Sequence, residues 1–296
     1  MSNKTYLVVL LFITMSLFFS ASCESDSKPA VERTHPLDSN TSAIIIDHTC
    51  RNLDAIPQAA IEQAKETLHI AYGHTSHGSQ LVTGMTGLVA FKGALYSWNG
   101  TGADGALELR DSPSPMDGDL GYSSWASNTR TYLNAHPEIN VIIWSWCGQV
   151  SDATEDDIYA YLSNMTALES DYPGVKFVYM TGHLDGTPLT YNLHLRNEQI
   201  RAYCRAQKKI LYDFADIESY NPDGVYFGDK KPNDACDYDS NGDGYWDANW
   251  AEQWQDAHPG EWYDCWSAHS EPLNANLKAY AAWWLWARLG GWKDSG

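Results

Sequence analysis

A layered α/β/α fold around a mostly parallel sheet is what the 296-residue sequence predicts, on three observations. Short apolar or β-branched runs recur at 68–72, 141–146, 175–180 and 210–214, each the length of a buried strand. Segments with apolar residues at helical spacing alternate with them, which is the βαβ pattern of a parallel sheet. Several runs also stop abruptly in small, polar or imidazole-bearing residues, as a parallel strand does when it delivers a loop at its carboxyl end.

The elements follow in order. A β-branched run at 43–47 precedes a helix over 57–67, marked by Ala60, Ile61 and Ala64. The strand 68–72 runs into Gly73, and a helix over 81–91 follows, weakened at Gly84 and Gly87 by about 1 kcal/mol each relative to alanine. Residues 92–124, rich in Gly, Asp, Ser and Pro, read as loop with one short strand at 107–109. A helix over 124–134 leads to the strand 141–146, and a helix over 155–170 leads to the strand 175–180. Residues 192–207 then form a helix before the strand 210–214, whose exit carries Asp213, Asp216 and Glu218 as orienting acids or structural caps. The last helix, 274–289, carries Leu277, Tyr280, Ala281, Trp284, Leu285 and Arg288 at helical spacing.

Composition narrows the class of protein. Hydrophobic residues at 44%, with 13 Trp and 18 Tyr, exclude a disordered chain. A net charge of -19 argues against nucleic acid or an anionic membrane surface as partner, and suits divalent cations. Residues 1–23 read as a targeting segment: Lys4, an apolar stretch over 6–19 too short to span a bilayer, then Ser20-Ala21-Ser22-Cys23. This end resembles a bacterial lipoprotein signal, which implies lipidation at Cys23 and a place in the cell envelope, lipid-anchored or secreted. Residues 24–42, rich in Ser, Asp, Glu, Lys and Pro, read as a flexible tether. A single domain over 43–296, with an insertion around 221–265, accounts for the rest. Five cysteines remain beyond Cys23, and of these Cys236 and Cys265, flanking one acidic region, are the expected disulfide.

The segment Leu68-His-Ile-Ala-Tyr-Gly-His-Thr-Ser-His-Gly-Ser-Gln80 organises the chain, with Ser76 at the tip of a turn between strand and helix. Gly73-His74-Thr75-Ser76-His77-Gly78 resembles the first block of the SGNH (GDSL-type) hydrolases, in the form with histidine before the serine and glycine after it. The resemblance extends in order of elements over about residues 43–292 and implies a flavodoxin-like three-layer sandwich. It also implies Ser76 as nucleophile and His269, just before the last helix, as base. The family's acid usually lies three residues before that histidine; here Trp266 holds that position, and Asp264 is the candidate. Glycine in a second block and an amide in a third serve the family's oxyanion hole, for which Gly121, with Gly118 as runner-up, and Gln149 stand here. His74 shapes the nucleophile turn and, with His183 and Asp185 at another carboxyl strand end, is a candidate substrate contact.

Within the insertion, oxygen-bearing residues recur every second position: Asp237, Asp239, Asn241, Asp243, then Gly244, Tyr245 and Asp247. From Asp239 this matches the first half of an EF-hand loop, with Tyr245 ligating through its carbonyl and no glutamate at the twelfth position, Trp250. Structural calcium is the expected cation, completed by Asp237 or Glu252; no organic cofactor is expected. The function expected is serine-dependent ester hydrolysis outside the cytoplasm, on small-molecule or glycan esters, with acylated carbohydrate favoured by the aromatic content. The alternative is an inactive scaffold of the same fold that binds glycans.

Overall fold

The computed structural model describes residues 42–294, so the signal segment with Cys23, and all of the tether but its last residue, lie outside the described residues. From β1 (Ile44–Ile46) the chain passes through α1 (Gln58–Thr67) to β2 (His69–Gly73), then through α2 (Ser79–Lys92) to β3 (Trp98–Asn99) and β4 (Leu107–Asp111). Regular β/α alternation follows: α3 (Trp125–Ala135), β5 (Val141–Trp144), α4 (Glu155–Asp171), β6 (Lys176–Met180), α5 (Asn192–Ala206) and β7 (Ile210–Tyr212). One turn, α6 (Phe214–Ile217), leaves β7. An antiparallel pair, β8 (Asp237–Tyr238) and β9 (Ala248–Asn249), then precedes α7 (Trp250–Ala257) and the final α8 (Pro272–Leu289).

The main sheet has seven strands, all parallel, in the order β1-β7-β6-β5-β2-β4-β3. Counted from β2, its five central strands wind 2-1-3-4-5, the flavodoxin-like order. Growth of the sheet reverses between β2 and β5, and the crevice at their carboxyl ends is where open sheets of this kind bind ligands.

Pleating divides the strands between two cores. Ile70, Tyr72, Val141, Ile143, Val178 and Met180 pack with residues of α1, α2 and α8. Ala71, Ile142, Trp144, Phe177 and Tyr179 point the other way, against α3, α4 and α5. Burial on both faces is why these strands read as continuous apolar runs rather than as alternating ones. The α8 helix is buried all round, Trp283 and Trp286 included, as expected of a helix that is apolar on every face. Gly84 explains itself here: a Cβ on it would stand 2.1 Å from the Ala275 carbonyl oxygen, so glycine lets α2 lie directly on α8.

Two sequence expectations are corrected, and one helix adds to those anticipated. The two-residue β3 inside 92–124 is too short to carry any periodicity. The insertion has a helix of its own, α7, whose N-terminus is capped by the Asn249 side chain accepting from the N–H groups of Ala251 and Glu252, both at 3.0 Å. Cys236 and Cys265 form no disulfide, and both are free. The buried Cys236 sulfur faces Ser270 Oγ at 3.4 Å, while Cys265 lies against α8 beside Asn276. Among the described residues no helix is long and apolar enough to cross a membrane.

Candidate functional site

Beyond Gly73 the chain turns sharply, and Tyr72 OH fastens the turn by donating to the Gly78 carbonyl at 2.9 Å. Gly78 admits no side chain, since a Cβ there would meet Ser145 Oγ at 2.2 Å. His74 uses both ring nitrogens to hold the turn, against Thr75 O at 2.9 Å and Asp111 Oδ1 at 2.5 Å. It is a buried clamp between β2 and β4. Ser76, half-buried in the turn, sits at the positive end of α2 with Oγ 3.7 Å from Cys147 Sγ.

Cys147 leaves β5 on the far side of the switch point, and its sulfur lies 3.2 Å from His77 Nδ1. On the opposite edge of the same ring, His77 Nε2 stands 2.9 Å from Asp234 Oδ2. Burial pushes the His77 imidazole below its ordinary range, outweighing the hydrogen bond to Asp234, and so favours the neutral ring. Burial also works against charge on Asp234, yet the bond from His77 and the neighbouring imidazoles hold its carboxyl below the usual range. A neutral ring beside a carboxylate keeps its proton on the nitrogen facing it. His77 therefore donates from Nε2 to Asp234 and offers the Nδ1 lone pair to the Cys147 thiol, the arrangement of a base set to deprotonate a nucleophile.

Two further histidines stack on His77: the His183 ring at 3.7 Å and 6°, and the His269 ring at 4.5 Å and 20°. His269 is exposed, with a left-handed backbone at φ 60°. Among the described residues it makes no hydrogen bond to Ser76, and the exposed Asp264 makes none to His269. Asp185 orders its own loop, accepting from Ser151 Oγ at 2.7 Å and from the Thr187 N–H at 3.0 Å.

The two expected oxyanion donors are committed elsewhere. Gly121 N–H and Gln149 Nε2 both donate to Asp119 Oδ1, at 2.8 and 3.1 Å, and Gln149 Oε1 accepts from the Cys147 N–H at 2.9 Å. Asp119 Oδ2 accepts from Thr75 Oγ1 at 2.6 Å. This buried carboxylate thus ties the Ser76 turn to the Cys147 turn.

A polar network lies beneath. Lys278, fully buried on α8, donates to Glu218 Oε2 at 2.6 Å and to Gln80, and its ammonium sits 3.7 Å from the Phe214 ring centre. Glu218 Oε1 accepts from the Leu184 N–H at 2.5 Å, and Gln80 Nε2 donates to the Ala268 carbonyl at 2.5 Å. The loops carrying His183 and His269 are therefore fastened to one buried ion pair. The neighbouring acids are structural: Asp213 is gripped by Arg201 at 2.6 and 2.8 Å, and Asp216 accepts from His48 at 2.6 Å.

In the insertion, Asp239 collects the N–H groups of Gly242 and Gly244, at 2.7 and 2.8 Å, and pairs with Lys231 at 3.3 Å. Asn241 Oδ1 and Asp243 Oδ1 accept from N–H groups two residues on, and Asp247 accepts from Ser240 and Asn241. Asp237 accepts from the side-chain amides of Asn233 and Asn249. Tyr245 is exposed.

A cavity of about 560 Å³ adjoins the crevice at Gln149 and Gly121, walled by Trp125, Trp146 and Tyr161. Another of the same volume lies near His69 and Glu108, at the amino ends of β2 and β4, at the other end of the strands from Ser76 and Cys147. Sequence reasoning missed Cys147, His77 and Asp234 as candidate site residues. The available signal was Cys147 at the exit of the clearest buried strand. Neither a family model nor a curated protein matches the chain.

Proposed function

We propose that the protein is an extracytoplasmic ester hydrolase working by nucleophilic catalysis at the β2/β5 switch point. The observation that carries this reading is the hydrogen-bonded line Cys147 Sγ, His77, Asp234. His77 Nδ1 takes the thiol proton, the thiolate attacks the acyl carbonyl, and the alcohol leaves with the proton from the imidazolium. Water, deprotonated by the same ring, then cleaves the thioester and releases the acid. Asp234 fixes the tautomer and faces the charge that forms on the ring. The positive end of α2 meets the oxyanion. The aromatic wall of the adjoining cavity supports an acylated carbohydrate as substrate.

A second reading keeps Ser76 as nucleophile and His269 as base. It is favoured by the Ser76 hydroxyl opening onto the same space as the thiol, and by the His269 ring lying against His77. The loop 239–247 holds calcium through Asp239, Asn241 and Asp243 in either reading; the two glycine N–H groups wound onto Asp239 fit a loop preformed around a cation. The deciding experiment is burst-phase hydrolysis of an aryl ester by wild type, Cys147→Ala and Ser76→Ala, each checked for folding, with iodoacetamide and a fluorophosphonate as covalent probes. Loss of the burst in Cys147→Ala alone, with iodoacetamide labelling, supports the thiol. Loss in Ser76→Ala alone, with fluorophosphonate labelling, establishes the serine instead. An undiminished burst in both variants removes both readings.

A further inference from the structure

We propose that His77, His183 and Asp234 form a binding site for a first-row transition-metal dication of zinc's class, which competes with the catalytic relay for the same atoms. One ligand atom from each residue lies within 4.8 Å of the others. His183 supplies the independent sign. Its ring is buried, at 9% exposure, and Nδ1 lies 2.7 Å from the Leu184 carbonyl, which can only accept. The ring proton is therefore on Nδ1, leaving Nε2 with a bare lone pair, and that buried Nε2 has no hydrogen-bond partner among the described residues. A buried acceptor left unpaired needs an explanation, and a cation supplies one.

The surroundings match what a metal-binding imidazole requires. A histidine ligand typically gives its other ring N–H to a carbonyl or carboxylate, as His183 does to Leu184, whose own N–H is held by Glu218. The His77 and His183 rings stack face to face at 3.7 Å and 6°, so their in-plane lone pairs run parallel and one ring has to turn out of the stack for both to reach one ion; Asp234 Oδ2 is already 2.9 Å from His77 Nε2. Ligands about 2.0–2.1 Å from a tetrahedral zinc stand about 3.3 Å apart, so Asp234 retreats by a few tenths of an ångström as one imidazole rotates to bring its lone pair onto the ion. Two imidazoles and one carboxylate suit zinc, iron, nickel or copper rather than calcium or magnesium, and leave a coordination position open. The second acid–imidazole cluster, Asp47, His48 and Asp216, carries no such sign, because His48 Nδ1 is bound to Asp216 and no nitrogen there is a buried orphan.

Binding rests on this geometry alone; the consequence for turnover rests on the hydrolase reading. A metal on His77 Nε2 displaces the proton held there, and a neutral ring then carries it on Nδ1, facing Cys147. The ring can no longer accept the thiol proton, and Asp234 is withdrawn from it. Metal loading therefore switches off the relay without closing the crevice.

The test uses the full chain, stripped of metal and then held in excess calcium so that the 239–247 loop does not titrate. Zinc is followed by equilibrium dialysis, and cobalt(II) by its visible ligand-field absorption, for wild type, His183→Ala, Asp234→Asn and Asp47→Asn. Wild type is expected to bind one ion at the site, His183→Ala and Asp234→Asn to bind at least about tenfold more weakly, and Asp47→Asn to bind like wild type. Circular dichroism of the metal-free proteins checks folding, and either weakened variant alone suffices if the other does not fold. Absence of zinc binding in wild type, or equal binding in both ligand variants, overturns the site whatever the hydrolysis assay shows. If zinc binds as expected but leaves ester hydrolysis unchanged, competition with the relay is overturned.

Discussion

The sharpest consequence at the level of single residues concerns which nitrogen of His77 holds the proton. In Asp234→Asn the amide N–H faces His77 Nε2 as a donor, so the ring proton moves to Nδ1 and confronts the Cys147 thiol. Geometry is preserved while the base is lost, which separates this variant from a truncation. We expect kcat for ester hydrolysis to fall by on the order of 10³–10⁴-fold with little change in KM. A loss confined to KM, with kcat intact, would show that Asp234 binds substrate and does not orient a base. None of this was legible from spacing. His77 is adjacent to Ser76, so sequence distance argued against it, while Asp234 lies 157 positions away in the insertion. Ser76 was placed correctly at a strand exit because an apolar run ending in glycine is a local signal. Its partners are set by which strands are neighbours, and that information is absent from any window of the chain.

Elements were far easier to read than their partnerships. Strands β2, β5, β6 and β7 and helices α1 to α5 lie close to their expected ranges, because burial on both sheet faces leaves uninterrupted apolar runs. Helix α7 is harder to see: Asn249 precedes Trp250 and Trp254 at helical spacing, but the acidic loop before it carries the stronger local pattern. Lys278 is hidden differently, as a cation in the middle of an apolar helix with its partner on another element. Its pairing with Glu218 is fully buried, and removing one member strands the other charge away from water. Lys278→Ala should therefore lower the unfolding free energy in urea by about 3–5 kcal/mol. A change below about 1 kcal/mol would mean that the pair is not the buried fastening described. A second electrostatic effect is read by pH. Burial works against the Glu108 charge, but His69 and Arg110, at 2.6 and 2.8 Å, hold its carboxyl below the usual range. A depressed acid stabilises fully above its unfolded value, about 4.3, and that contribution disappears as pH falls through the folded value. Wild type should exceed Glu108→Gln in stability at neutral pH, and the two should converge in acid. A gap independent of pH would contradict the linkage.

The whole molecule joins two parts of different character: a parallel sheet that could be anticipated from periodicity, and an insertion that supplies a residue the sheet lacks. Asp234 enters the crevice on the stretch between Lys230 and β8, and this stretch is fixed to the His183 loop by the Gly186 N–H on Pro232 O at 3.0 Å and a bridge between Asp185 and Asn233. Trp246, in the middle of the acidic loop, donates to the Lys231 carbonyl at 2.9 Å and packs so closely on Gly186 that a Cβ there would lie 2.0 Å from its ring. A cation held by Asp239, Asn241 and Asp243 would consequently stabilise both the fold and the position of Asp234. With calcium at about 100 times its Kd the native state gains about 2.7 kcal/mol by mass action. For a chain of this size that corresponds to about 5–10 °C in Tm. Chelation should remove this increment, excess calcium should restore it, and Asp239→Ala should respond to neither. If the fastening through Trp246 is right, Trp246→Ala should keep the calcium-dependent rise in Tm but lose the calcium dependence of ester hydrolysis. Equal melting curves for wild type with and without chelator would exclude the cation from the loop, and calcium-dependent turnover preserved in Trp246→Ala would show that the ion reaches Asp234 by another route.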